Sequence, residues 1–224
     1  MKVSIQIPVY TGANFLKEAL DSIQKQTYDN YEVIVVDDGI GEDISSMLAA
    51  YPNAIFLRQD HQGVAAARNY ALEYSTGEII AFLDADDLWS EDKLQKQIDY
   101  LKEHPECEIV FSKTENFTKL LQEDMTSRQR QLLDTKISNC MVSSCVRRSV
   151  FEKYGNYQEK YEYGEDTEIM ARWAAAGVNL DHCLADSLYF RRVHNDNMSL
   201  LHKKVGKKEY LELLAEAFRN ARKK

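Results

Sequence analysis

Val3-Ser4-Ile5-Gln6-Ile7-Pro8-Val9 alternates in the manner of a strand and is rich in β-branched residues. From Gly12 to Gln26 the period becomes helical, with Phe15, Ala19, Leu20 and Ile23 on one face. Tyr31 to Val36 predicts a strand that is apolar throughout, Ile44 to Tyr51 a short helix, Ala54 to Leu57 a strand and Gly63 to Tyr74 a helix. Glu78 to Leu83 and Glu91 to His104 repeat the strand-helix unit. Strands that alternate with helices and carry apolar residues on both faces predict an α/β fold: a doubly wound, mostly parallel sheet flanked by helices. Such sheets bind ligands beyond the carboxyl ends of their strands, which gathers Tyr10-Thr11, Asp37-Asp38-Gly39, Asp60-His61 and Asp84-Ala85-Asp86 on one rim.

The second half is less regular. Ile109-Val110-Phe111 predicts a strand, Phe117 to Asp134 a polar loop with some helix, and Cys140 to Val146 another strand. Glu165 to Ala176 predicts a helix stopped by Gly177, Ser187 to Val193 a strand, and Val205 to Arg222 a final amphipathic helix.

Composition narrows the function classes. A hydrophobic fraction of 44% with 29% charged residues describes a globular chain rather than a disordered or fibrous one. The apolar runs fall far short of the ~20 residues of a membrane span, and Met1-Lys2 leads straight into a strand, so a cytoplasmic location is expected. Cys107, Cys140, Cys145 and Cys183 lack metal or disulfide spacing and are expected as free thiols. A net charge of -8 argues against nucleic acid as a partner. The tail is locally basic at Lys203, Lys204, Lys207, Lys208, Arg219 and Arg222, which permits peripheral contact with an anionic membrane on the inner face.

Asp84 and Asp86 close an apolar strand and run into Asp87. Carboxylates this crowded repel unless a cation sits among them, and hard oxygen ligands suit Mg²⁺ or Mn²⁺. The competing reading is a solvated turn, with Asp87 as a helix cap. An acid in Asp37-Asp38-Gly39 can accept hydrogen bonds from a nucleotide, or form only an Asp-Gly turn. Arg68 offers a planar fork for phosphate oxygens, against an ordinary surface ion pair. Glu165-Asp166 at a helix start could supply a base or merely a cap, the helix dipole keeping Asp166 ionised. His61 reads as a solvated loop tip, and His194 as either a ligand or a partly buried histidine after an edge strand.

Together, Ile7-Pro8-Val9-Tyr10, Val35-Val36-Asp37-Asp38-Gly39, Gly63-Val64-Ala65-Ala66-Ala67-Arg68-Asn69, Leu83-Asp84-Ala85-Asp86-Asp87 and Gly164-Glu165-Asp166 resemble the family 2 inverting glycosyltransferases of the GT-A (Rossmann-like) fold, from Val3 to about Ser199. The resemblance implies a nucleotide-diphosphate sugar donor, commonly a UDP-sugar, and a saccharide or lipid-linked acceptor in cell-surface polysaccharide biosynthesis. It implies a domain over 1–202, with a nucleotide-binding half (1–104) and an acceptor-binding half (105–202), followed by the basic helix of 203–224. It assigns the metal, Mn²⁺ or Mg²⁺, to Asp86, with Asp84 nearer the ribose and the metal's water shell. Asp38 would read the base, Pro8 and Tyr10 would frame it, and Arg68 would contact phosphate. Asp166 would be the general base, Glu165 would contact the acceptor or brace the site, and His194, after Arg191-Arg192-Val193, would approach the metal or diphosphate.

Two rivals remain at this level. A sugar nucleotidyltransferase wants cations just after the first strand, which Tyr10-Thr11-Gly12-Ala13-Asn14 lacks. A non-catalytic nucleotide-sugar-binding or scaffold subunit would keep the binding motifs without turnover.

Overall fold

β1 (Val3–Val9) pairs in parallel with β2 (Tyr31–Asp37) on one side and β4 (Ile79–Phe82) on the other, and β3 (Ala54–Arg58) extends the parallel layer beyond β2. The computed structural model describes residues 1–10, 13–41, 44–120, 122–135, 139–161 and 164–197. The expected helix of 203–224 lies outside them. β5 (Leu88–Trp89), β6 (Ile109–Phe117), β7 (Cys145–Arg147) and β8 (Cys183–Arg192) complete an eight-stranded sheet in the order β3-β2-β1-β4-β7-β6-β8-β5. β7 runs antiparallel to β4 and β6, β5 antiparallel to β8, and β6 parallel to β8, so the sheet is mixed and mostly parallel.

Side-chain alternation sends successive residues of each central strand to opposite faces. Ile5, Ile7, Val33, Val35, Ile79 and Ala81 join Leu16, Leu20 and Ile23 of α1 (Ala13–Gln24) and Leu94, Ile98 and Leu101 of α4 (Lys93–Glu103) in one core. Ile34, Val36 and Leu57 face Ala67 and Ala71 of α3 (Val64–Tyr74), whose alanines let the helix lie close to the sheet. Ile80 and Phe82 face Val150 and Phe151 of α6 (Arg148–Tyr154) and Ile169 and Trp173 of α7 (Glu165–Ala175). α2 (Ser45–Leu48) and α5 (Ser127–Leu133) are short, and α5 starts from a capping box of Thr126 with Gln129. No helix among the described residues is long and apolar enough to cross a membrane.

Three departures from the sequence reading have local causes. The strand expected over Cys140 to Val146 begins only at Cys145, because Met141–Ser143 forms a 3₁₀ turn whose carbonyls at Cys140 and Met141 accept from the Ser143 and Ser144 hydroxyls at 2.8 and 2.7 Å. α6 was not anticipated; it ends on Gly155 at φ 87°, whose N–H returns to Phe151 O at 2.8 Å. Asp87 does not cap α4, whose N-cap position is Asp92.

At the far end of the sheet, Glu32 accepts from Lys2 Nζ, Ser4 Oγ and Thr76 N, each at 2.6 Å. Burial pushes the Glu32 carboxyl up, but these donors win and hold it at about 2. A depressed acid stabilises the fold fully above its unfolded value, and that stability is lost as pH falls from about 4.5 towards 2. Glu32→Gln is therefore expected to flatten the acid limb of a pH series of thermal midpoints, and an unchanged limb would assign acid sensitivity elsewhere.

Candidate active site on the carboxyl rim

Beyond β4 the chain turns sharply, Asp87 N donating to Asp84 O at 3.1 Å. The turn brings one carboxylate oxygen each of Asp84, Asp86 and Asp87 within 4.8 Å of the others. Asp87 is 3% exposed and spent on structure: it accepts from Tyr189 Oη and Arg192 N, both at 2.7 Å, and so locks β8 beside the acids. Burial, then the Asp86 and Asp84 charges, push its carboxyl well above the usual range. Although 39% of the Asp84 side chain reaches solvent, burial of the rest and the Asp86 and Asp166 charges outweigh Arg68 and push its pKa up to about 6. The strand end thus holds more negative charge than it can leave ionised at no cost.

β8 delivers His194, whose Nε2 lies 2.8 Å from Asp86 Oδ2. Asp196 N donates to its Nδ1 at 3.3 Å, so the proton sits on Nε2 and is given to Asp86. Arg192 was read only as part of a basic segment, yet it is a buried strut. Its guanidinium lies 4.5 and 4.8 Å from the rings of Phe15 and Phe117 and donates to Asp86 O at 2.7 Å and Glu18 Oε2 at 3.0 Å.

Arg68 does not form the surface ion pair that was the alternative to a phosphate contact. It is 2% exposed, lies 5.7 and 5.4 Å from the ring centroids of Phe82 and Tyr157, and reaches Asp166 Oδ1 at 2.5 Å, Asp84 Oδ1 at 3.3 Å and Glu165 Oε1 at 3.4 Å. The fork expected on phosphate faces carboxylates here. Burial alone would lower its pKa, but Asp166, Tyr157, Asp84 and Glu165 raise it well above the usual value. Glu165 behaves oppositely to its neighbour's expected role: burial, then the Asp166 charge, push it up to about 8 against the pull of Arg68. Asp166, at the first turn of α7, keeps 24% of its side chain exposed.

The β1–β3 side of the rim holds the other candidates. Pro8 sits opposite Val36, and Tyr10 follows β1 with 45% exposure. Asp37 forms the Asp-Gly turn, its Oδ1 accepting from Gly39 N at 3.0 Å and Ile40 N at 2.8 Å. Asp38 is 2% exposed and accepts from Gln59 Nε2, Gln62 N, Gly63 N and His61 Nδ1 at 2.8 to 2.9 Å. His61 is not a freely solvated loop tip: besides this bond it stacks on Tyr10, with centroids 3.8 Å apart and planes at 14°. Asp60 beside it is exposed. A cavity of about 310 Å³ lies outside α3, lined by Arg58, Gln62, Asn69, Tyr70 and Glu159, and none of the rim acids borders it.

The model of glycosyl transferase family 2 matches residues 4–155, more than half of the chain. An uncharacterized glycosyltransferase of Rickettsia typhi is 29% identical over 209 residues, covering 86% of this chain and 64% of its own length, so the chain spans less than two thirds of that relative. The E. coli UDP-Glc:alpha-D-GlcNAc-diphosphoundecaprenol beta-1,3-glucosyltransferase WfgD is 36% identical over 99 residues, 43% of this chain and 39% of that protein. Among solved structures, S. aureus TarS 1–349 in complex with UDP superposes with TM-score 0.68 at 21% identity, over 86% of this chain and 61% of that one. The Pyrobaculum calidifontis mannosyltransferase PcManGT, with GDP-Man and Mn²⁺, gives TM-score 0.66 at 19% identity over 100% and 64%. At these identities the structures establish the fold, the GT-A type.

Proposed function

Because the chain belongs to glycosyl transferase family 2, we propose that it is a metal-dependent inverting glycosyltransferase, moving a sugar from a nucleoside-diphosphate donor, a UDP-sugar foremost, to a hydroxyl of a saccharide or lipid-linked acceptor. The observation that carries this reading is the meeting, through Arg68, of two acidic centres: Asp84 and Asp86 on one side, Asp166 on the other. UDP-Glc and a diphosphoundecaprenol acceptor in the name of the E. coli relative support the donor and acceptor classes, and polysaccharide assembly is the matching pathway.

The donor set fits a hard divalent cation. Three carboxylate oxygens lie within 4.8 Å, and a cation would offset the burial and the Asp86 and Asp166 charges that raise Asp84. Asp87 is buried and each of its oxygens already accepts a protein hydrogen bond, so Asp86 and Asp84 are the more accessible ligands. His194 would join them only on turning its Nε2 proton over to Nδ1. When bound, Mn²⁺ or Mg²⁺ neutralises the diphosphate leaving group.

The remaining work falls to the chain itself. Asp166, fixed through Oδ1 on Arg68 and partly open to solvent, takes the proton of the acceptor hydroxyl as its oxygen attacks the anomeric carbon. The bond to the diphosphate oxygen breaks on the opposite face, so the configuration inverts. Glu165, whose proton is held more tightly by burial and the Asp166 charge, braces Arg68 from the other side.

Thermal unfolding with UDP, GDP, ADP, dTDP and CMP, each with Mn²⁺ and with chelator, tests the reading. At ~100 times its dissociation constant a ligand adds about 2.7 kcal/mol, and roughly 2–4 °C per kcal/mol makes the shift easy to read. One diphosphate is expected to raise the midpoint only with metal. No shift with any of them would favour a non-catalytic scaffold.

A further inference from the structure

We infer that Glu18, midway along α1 and outside every motif of the sequence, is a positioning residue for the metal-facing carboxylate of Asp86, acting through Arg192. The inference rests on the reading of Asp86 as a metal ligand. Arg192 is 2% exposed, and a guanidinium that deep needs a carboxylate partner. The acids at the strand end are engaged elsewhere. Asp86 Oδ2 meets His194 Nε2 at 2.8 Å, and the Asp87 oxygens accept from Tyr189 Oη and from the main-chain N–H of Arg192. Glu18, 174 positions away, answers the charge: its Oε2 accepts from Arg192 Nη2 at 3.0 Å.

Little else directs that guanidinium. Its Nε donates to Asp86 O at 2.7 Å, while its buried Nη1 has no hydrogen-bond partner. The Phe15 and Phe117 rings favour a cation beside them without fixing which way its donors point. Glu18 supplies the direction. With Nη2 tied to α1, Nε is aimed at Asp86 O, in the turn where Asp87 N also donates to Asp84 O. Holding that carbonyl holds the backbone from which the Asp86 side chain leaves. Phe15, one turn before Glu18 on the same face of α1, also lies 5.0 Å from the His194 ring, so one helix face abuts both neighbours of Asp86.

The outer side of Glu18 carries a weaker contact. Lys119 Nζ donates to its two oxygens at 3.0 and 2.9 Å, but the lysine side chain is 67% exposed, and such a pair contributes little. Without Glu18, Arg192 becomes a buried charge with no counter-ion. Turning outward to water relieves it and gives up the bond to Asp86 O.

The test counts free Mn²⁺ by electron paramagnetic resonance while the full chain is titrated with Mn²⁺, alone and with UDP. Asp86→Asn, expected to abolish binding, locates the ion. Glu18→Ala is expected to weaken Mn²⁺ binding about tenfold, measured well below its melting midpoint, the lower end of the roughly 10–100-fold typical for groups that orient metal ligands. Glu18→Gln, which keeps an acceptor for Arg192 Nη2 but no charge, should fall between that variant and the unaltered chain, and it decides the matter if Glu18→Ala does not fold. Asp21→Asn removes the same charge one turn further along α1, and Lys119→Met removes the outer partner of Glu18; both should bind Mn²⁺ as the unaltered chain does. Unchanged affinity in the Glu18 variant that folds, even with a lowered midpoint, means a merely structural role and overturns the inference alone. An equal loss in Asp21→Asn also overturns it, since the effect would then be one of net charge, and an equal loss in Lys119→Met would move the route away from Arg192. If the unaltered chain binds no Mn²⁺, or binding survives in Asp86→Asn, the reading of Asp86 as ligand falls and the inference with it.

Discussion

Asp166→Asn is expected to leave nucleotide affinity nearly unchanged while lowering turnover 100-fold or more, roughly what losing a general base costs. Asparagine is close to isosteric and can still offer an oxygen to Arg68 Nη1, which now lies 2.5 Å from Asp166 Oδ1, so the arginine should stay in place. What it cannot do is take a proton. The exchange also removes a negative charge that helps hold Glu165 at about 8 and Asp84 at about 6, so the fold should tolerate it. Steady-state kinetics with a parallel thermal melt separate the two effects: kcat falls, KM for donor and the midpoint stay. Turnover equal to that of the unaltered chain would remove Asp166 from the role of base.

Arg68→Met is expected to be the most destabilising substitution at the site. Removing one partner of a buried ion pair costs about 3–5 kcal/mol because the remaining charge is left uncompensated. Here the guanidinium answers Asp166, Asp84 and Glu165 at once and packs against Phe82 and Tyr157. Methionine supplies the packing and none of the charge. For a chain of this length that corresponds to a fall in midpoint of roughly 6–20 °C. Arg68→Lys should recover only part of it, since a point charge on a single stem cannot span three carboxylates as a planar fork does. A shift under about 2 °C for Arg68→Met would mean that the acids are held by something other than Arg68.

The parallel layer was legible because its strands are buried on both faces and therefore written as continuous apolar runs: Tyr31 to Val36 and Glu78 to Leu83 each emerged within a residue or two of β2 and β4. The second half was not, because its elements depend on side chains that compete with the backbone. Ser143 and Ser144 turn Met141–Ser143 into a 3₁₀ segment inside what reads as a strand, and the two-residue β5 exists only because β8 lies beside it. The eight-stranded order, with β7 antiparallel beside β4, follows from no local pattern.

The site divides the same way. Sequence by itself placed Asp38, Asp84 and Asp86 at strand ends on one rim, because chain reversal after an apolar strand leaves polar residues there whatever the partners, and Asp166 at a helix start. Only the tertiary structure decided what each acid faces. Asp87, one residue from Asp86, is committed to Tyr189 and Arg192, 102 and 105 positions away, while Asp86 meets His194 at a separation of 108. Arg68 is drawn inward by acids 16, 97 and 98 residues distant, and Asp38 is closed by the loop after β3. The physical reason is that residue type and spacing set which groups gather at an edge. Ionisation, burial and hydrogen-bond saturation are set by neighbours that only folding brings together.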